Sequence, residues 1–319
     1  MCNKEISQSA SIIKPILFTI TLLAIFSCET KQENANTSKQ VLIEKEFQLA
    51  DLKLLKPLQL RFAEPNPGEW AYIHHEGGQT FSTYKNSNPV RPSSKRNKIY
   101  IKPIGEFTEA DSLIFESLKA YTQAFIGLET ILLTQVSDSI IPSVGRRQHD
   151  GIAQLHTQYI LNEVLIKSLP ADAIMYTAVT SKDLYPKAGW NYVFGQSNLE
   201  EKVGVLSMYR YKVELSKYQN QSLFLNRLLK TATHEMGHIL SIKHCTSYKC
   251  LMNGSNSLPE ADAKPSWLCS ECLAKLIWCT NGNIRERYNA LITFSKQHAF
   301  PKKAKFYTKS IELLSAEKL

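Results

Sequence analysis

Three short runs along the chain are rich in β-branched and apolar residues: "KIYIKPI" (98–104), "TILLTQV" (130–136) and "AIMYTAVT" (173–180). Their length and composition predict β-strands. Two longer runs space apolar residues three and four apart, "ADSLIFESLKAYTQAF" (110–125) and "DGIAQLHTQYILNEVLIKSL" (150–169), and predict helices with one buried face. A further helix is expected from about Leu223 to Leu240. Its apolar face is Leu225, Leu228, Leu229 and Ala232, "NQSLFLNRLLKTAT" carries neither Gly nor Pro, and Ser222 stands where an N-cap is needed. Strands alternating with helices make this an α/β chain.

With 319 residues, 43% hydrophobic and 21% charged, the chain has enough apolar material for a full core, and no internal repeat is visible. The formal net charge of +9 is dispersed, with a local excess in "FPKKAKFYTK" (300–309). That run reads as a solvated helix face or tail, and no nucleic-acid motif accompanies it. At the N-terminus, "KPILFTITLLAIFSC" places a lysine before an apolar run too short for an ordinary membrane span, which suits an export signal over residues 1–27. "IFSC" is similar to a bacterial lipobox ending at Cys28, so the expectation is an exported lipoprotein held on the cell envelope by its N-terminal lipid. A polar tether and the start of an N-terminal extension then occupy 28–60, an N-terminal segment 61–95 and the main domain 96–319.

The chemistry concentrates in "HEMGHILSIKHCTSYKCLM" (234–252). On a helix, His234 and His238 project from one face a turn apart and can share one ion, with Glu235 beside them as a general base. His244, ten residues after His234, supplies a third imidazole. Three neutral histidines with an open fourth position describe a catalytic zinc. The order H-E-x-x-H-x-x-G-x-x-H with a following Met-turn is that of metzincins, with Ser241 at the glycine position and Met252 at the turn. Glycine is expected there because the helix ends left-handed.

Cys245 and Cys250, then Cys269 and Cys272 in "CSEC", form two pairs that suit a tetrahedral zinc site. In an exported protein the same four have disulfides as their competing state. Cys279, in "KLIWC", reads as a buried thiol on an apolar helix face.

Together, His234, Glu235, His238, His244, Cys245, Cys250, Met252, Cys269 and Cys272 resemble the motif of the archaemetzincins, zinc-dependent metalloproteases of the metzincin clan. "KIYIKPIG" (98–105), "RRQHD" (146–150), "DLYPKAGWNYVFGQSN" (183–198), "VGVLSMYRY" (203–211) and "PGEWAYIHHEGGQTFSTY" (67–84) are also similar to that family. The resemblance implies a twisted mixed sheet flanked by helices, a long active-site helix and a small lower subdomain carrying the Cys₄ site. It implies two zinc ions per chain, one catalytic and one structural. "KVGVLSMYRY" (202–211) is then expected to be the edge strand against which an extended peptide substrate pairs.

The expected reaction is peptide-bond hydrolysis by a zinc-activated water, with Glu235 taking its proton. The competing reading is a non-catalytic zinc- or peptide-binding module on the same scaffold. Tyr248, Arg146, Arg147 and Gln148 read as structural, and His74, His75, His149, His156 and His298 have no ligand spacing.

Overall fold

The computed structural model describes residues 51–218 and 220–316, without the side chains of Lys217 and Tyr218. The export signal, Cys28 and the tether as far as residue 50 lie outside the described residues. Among the described residues, no helix is long and apolar enough to cross a membrane.

The main sheet contains β1 (Lys98–Ile104), β2 (Thr130–Leu132), β5 (Ala173–Thr180), β7 (Gly195–Asn198) and β8 (Val203–Ser207), in the order β2-β1-β5-β8-β7. β7 alone runs antiparallel to its neighbour. All eight residues of β5 are buried, as a central strand covered on both faces requires. Alternate side chains go to opposite faces. Met175 and Val179 join Leu118 and Phe125 of α3 (Glu109–Ile126) and Leu228 and Met236 of α5 (Gln221–Ile239) in one core. Tyr176 and Ala178 meet Leu161 and Leu165 in another. α3 begins at a Thr108–Asp111 capping box and ends at Gly127, whose φ is 85°.

A second, small sheet orders β3 (Arg146–His149), β4 (Ile152–His156) and β6 (Asp183–Tyr185) as β3-β4-β6. The helix expected over 150–169 is therefore corrected in its first third. Asp150 and Gly151 both have positive φ, 50° and 75°, and close a β3–β4 hairpin before any helix starts. Helical structure begins at Thr157 and includes a π-helical stretch, Ile160–Leu165. "TILLTQV" is also shortened: only Thr130–Leu132 is strand, with an isolated bridge from Val136 to Ile104.

The expected edge strand is corrected as well. Val203–Ser207 lies inside the sheet with all five residues buried, and Tyr209–Tyr218 is a helix, α4. The edge is the polar four-residue strand β7, "GQSN", half-buried throughout.

After α5 the chain turns through 240–257 with little regular structure, then forms α6 (Leu258–Ala263), α7 (Ser270–Thr280), α8 (Ile284–Gln297) and α9 (Pro301–Ser315). The basic run 300–309 opens α9. Lys302 and Lys305 are exposed as expected, but Lys303 turns inward and is buried. At the other end, residues 51–90, with the short helices α1 (Trp70–His74) and α2 (Phe81–Asn86), pack onto this lower half. Leu52, Leu55 and Tyr84 are buried in its core, and Arg61 bridges to Tyr248.

Candidate metal centre and cleft

The expected helix is present and starts two residues earlier than expected. Asn220, not Ser222, is the N-cap, its side chain accepting from Leu223 N at 2.9 Å. At the far end the chain makes a Schellman turn: Ile242 N donates to Gly237 O at 3.0 Å and Ser241 N to His238 O at 2.7 Å. Ser241 takes the left-handed position, φ 66°, that glycine was expected to fill. Its Oγ accepts from Val90 N at 3.1 Å and its carbonyl accepts from Gln79 Nε2 at 3.2 Å, contacts that hold the strained residue. The serine therefore leaves His244 in place.

His234, His238 and His244 converge, with ring centroids 4.6, 4.8 and 5.4 Å apart. Each Nδ1 is already engaged. His234 Nδ1 donates to Leu251 O at 3.0 Å, His238 Nδ1 donates to Ile242 O at 2.8 Å, and His244 Nδ1 meets the Glu76 carboxylate at 2.8 and 3.0 Å. These bonds put the N–H on Nδ1 and leave the Nε2 lone pairs facing one another, 3.0 Å apart between His234 and His238. Two lone pairs at that distance repel unless a cation lies between them. Tetrahedral zinc with Zn–N near 2.0–2.1 Å asks for about 3.3 Å. Burial, and after it the Lys264 ammonium, hold His234 well below its usual pKa, and burial pushes His244 down to about 4. Both are thus neutral, the form a metal needs.

Met252 is fully buried, and its Sδ lies 2.7 Å from where a Cβ on Gly237, the residue before His238, would sit. Glycine at 237 is what lets the turn approach the helix. Glu235 is half-buried; Ser197 Oγ on β7 donates to its Oε2 at 2.6 Å. A Cβ on Gly195 would come within 3.3 Å of Glu235 Cγ, so the edge strand lies directly against Glu235.

The four cysteines form a separate, buried cluster whose sulfurs lie within 4.8 Å of one another. Cys245 and Cys269 sulfurs are 3.7 Å apart, far beyond a disulfide and close to the roughly 3.8 Å of a tetrahedral zinc tetrathiolate. All four are free thiols, so the competing disulfide state is not adopted. Backbone amides of Met252 and Cys269 donate to Cys250 Sγ, and that of Cys272 to Cys269 Sγ. Hydrogen bonds from the other three lower the Cys245 thiol, while burial raises Cys250. Four sulfurs this close together in a buried site can ionise together only around a cation. Cys279 is buried on α7, as expected, its thiol donating to Val90 O at 3.2 Å.

The histidines open onto a cleft of about 960 Å³ between β7, α5 and the 255–264 segment. Tyr248 does not line it; the ring packs under the Arg61 guanidinium at 4.8 Å. Arg147 has a definite structural task. Its guanidinium binds the carbonyls of Ala188, Trp190 and Asn191 at 3.1, 2.6 and 3.1 Å and pins the loop that forms the cleft's rim. Arg146 ties down Asp138 and Ile141 O. Of the five histidines without ligand spacing, His74 stacks on Trp70 at 3.8 Å, near the site but outside the triad.

Sequence reasoning missed Trp70, Glu76, Gln79, Ser197, Lys230 and Lys264. Trp70 Nε1 donates to Glu76 Oε2 at 3.0 Å, and its ring meets His244 edge-on at 5.1 Å. Lys230 Nζ donates to the carbonyls of Ala261 and Lys264 at 2.5 and 2.6 Å, and Lys264 Nζ donates to Asn253 O at 2.8 Å. Burial lowers both amines to about 8, which leaves them charged at neutral pH. The only signal for Trp70 and Glu76 was the family likeness of 67–84, and no spacing rule points to any of the six.

The model of peptidase family M54 matches residues 154–277, which contain both clusters. Human archaemetzincin-2 is 35% identical over 296 residues, covering 82% of this chain and 80% of its own length. Human archaemetzincin-1 is 30% identical, over 72% of this chain and 52% of its own. Among solved structures, archaemetzincin from Archaeoglobus fulgidus matches 56% of this chain and 99% of its own at 31% identity, with a TM-score of 0.44. The chain belongs to the archaemetzincin family and is a zinc metallopeptidase with a mixed α/β fold.

Proposed function

We propose that His234, His238 and His244 hold a catalytic zinc, that Cys245, Cys250, Cys269 and Cys272 hold a structural one, and that Glu235 is the base for hydrolysis of a peptide bond. The observation that carries this reading is the set of Nε2 lone pairs turned inward by bonds at every Nδ1. Zinc bound there supplies Lewis acidity towards the scissile carbonyl and brings the pKa of water into the neutral range. Glu235 takes the proton of the attacking water and returns it to the leaving amine. Ser197 Oγ, bonded to Glu235 Oε2, orients the carboxylate. The unpaired edge of β7 aligns an extended peptide beside the base by main-chain hydrogen bonds. Met252 supports the histidines from below without touching the substrate.

The test is zinc content per chain together with cleavage of a peptide library, for wild type and Glu235→Gln. Two zinc ions in each, with turnover about 10²–10⁴-fold lower in the variant, is the expected result. Equal turnover in both would remove Glu235 from the mechanism.

A further inference from the structure

The cleft has a direction. A peptide paired antiparallel to β7 runs from Asn198 towards Gly195. Beyond Gly195, Phe194 stacks on Tyr211 at 5.2 Å, and the Tyr211 hydroxyl bonds Thr231 Oγ1 at 2.7 Å, three residues before His234 on α5. Residues after the scissile bond therefore lie over Thr231, Lys230 and Arg227, all of which line the cleft.

The charge at this end is not balanced. Arg227 pairs with Asp262 through contacts at 2.6 to 3.1 Å, so those two charges cancel. Neither Lys230 nor Lys264 lies within ion-pair distance of a carboxylate among the described residues. Lys230, only 5% exposed, commits its N–H groups to the carbonyls of Ala261, Asp262 and Lys264. Lys264 has one carbonyl partner, Asn253 O. Its other near neighbour, His234 Nδ1 at 3.5 Å, already gives its hydrogen to Leu251 O and accepts nothing. Glu235 and Glu260 act on Lys264, and Asp262 on Lys230, from beyond contact distance, and none of the three closes an ion pair with either ammonium. An adjoining cavity of about 640 Å³ shares Lys230 and Lys264 in its wall and brings Lys303 to the far side, where Lys303 rests against the Tyr121 and Phe300 rings. The cleft thus ends in positive charge with donors of Lys264 unspent.

We propose that this end of the cleft binds a carboxylate of the peptide on the C-terminal side of the scissile bond, with Lys264 Nζ as its contact and Lys230 as the reinforcing charge. The proposal rests on the peptidase reading for its direction. The carboxylate has two sources, an acidic side chain just after the cut or the free C-terminus a residue or two beyond it. An ammonium–carboxylate contact in a shielded cleft favours the acid over its amide by about 10- to 100-fold.

The test uses zinc-loaded protein and alanine-rich decapeptides with Glu or Gln at each position in turn, each made with a C-terminal acid and a C-terminal amide. Cleavage is measured as kcat/KM on wild type, and binding by calorimetry on Glu235→Gln. The expected result is a 10- to 100-fold preference for Glu after the cut, or for the C-terminal acid, and the position showing it identifies the source. Lys264→Met should reduce that ratio to below about threefold, Lys264→Arg should keep it, and Lys230→Met should fall between. Because the readout is a ratio, it holds even where a variant loses overall rate. Equal binding and cleavage of acid and amide by wild type, or an undiminished ratio in Lys264→Met, would overturn the proposal. Selective binding with no peptide cleaved would leave the carboxylate pocket standing and refute the hydrolysis.

Discussion

The histidine and cysteine clusters come from one stretch of chain, and His244 and Cys245 are neighbours in it, yet the two are built on opposite terms. The cysteine sulfurs are sealed, each residue at most 7% exposed, and are held by backbone amides inside the core of the lower half. The histidine rings face a cleft, and their second nitrogens are held by two carbonyls and a carboxylate. A sealed tetrathiolate fits a metal that clamps the fold. An open triad leaves one side of its metal for water and substrate. The adjacency means that fixing one cluster fixes the backbone of the other, so under the proposed two-zinc reading the two sites share a folding step.

Separating the clusters by mutation is the strongest way to break that comparison. Cys272→Ser should cost the thiol cluster its zinc, lower the melting temperature by well over 10 °C and weaken zinc binding at the histidines, as read by calorimetry and metal analysis. His238→Ala should lose one zinc and all peptide cleavage while the melting temperature falls only a few degrees. Equal loss of stability in the two variants would mean that the clusters do not divide the work in this way.

A smaller effect is expected where the clusters' supports touch. Gly237→Ala drives a Cβ into Met252 Sδ, and overpacking of this kind costs about 1–3 kcal/mol. Denaturant unfolding should show that loss, with cleavage reduced because the turn under the histidines is displaced. Smallest is Glu76→Gln, which keeps a hydrogen-bond acceptor for His244 Nδ1 but removes its charge. Zinc affinity at the histidines should fall by about 10- to 100-fold, with the thiol site and the melting temperature of the apo protein little changed. A drop at the thiol site instead would place Glu76 among the residues that hold the fold.

Much of this was legible because helix geometry and ligand spacing are local. His234 and His238 had to share a face, and the two cysteine pairs had to be close if one ion was to hold them. β1 and β5 were equally plain, as short β-branched and apolar runs, buried on alternate residues in β1 and throughout in β5. What escaped was set by distance along the chain. Glu76 reaches His244 across 168 residues, and Ser197 reaches Glu235 across 38, so no periodicity registers either. The edge strand was misassigned for a related reason. An interior strand is the more hydrophobic one, and "VGVLS" therefore outshines "GQSN", whose polar, half-buried residues mark it as the edge. The Asp150–Gly151 hairpin was hidden differently: its dipeptide is a known turn signal, overridden by the helical period of the residues that follow.

The left-handed Ser241 carries a lesson for reading genomes. A search that demands the letter G at that place would discard this chain, although the backbone angle that the letter stands for is present. The compensation lies far upstream, in Gln79 and Val90, whose hydrogen bonds to Ser241 are invisible to any pattern confined to the helix and its turn. The invariant in such a signature is a torsion angle, and the alphabet can drift wherever distant residues maintain it.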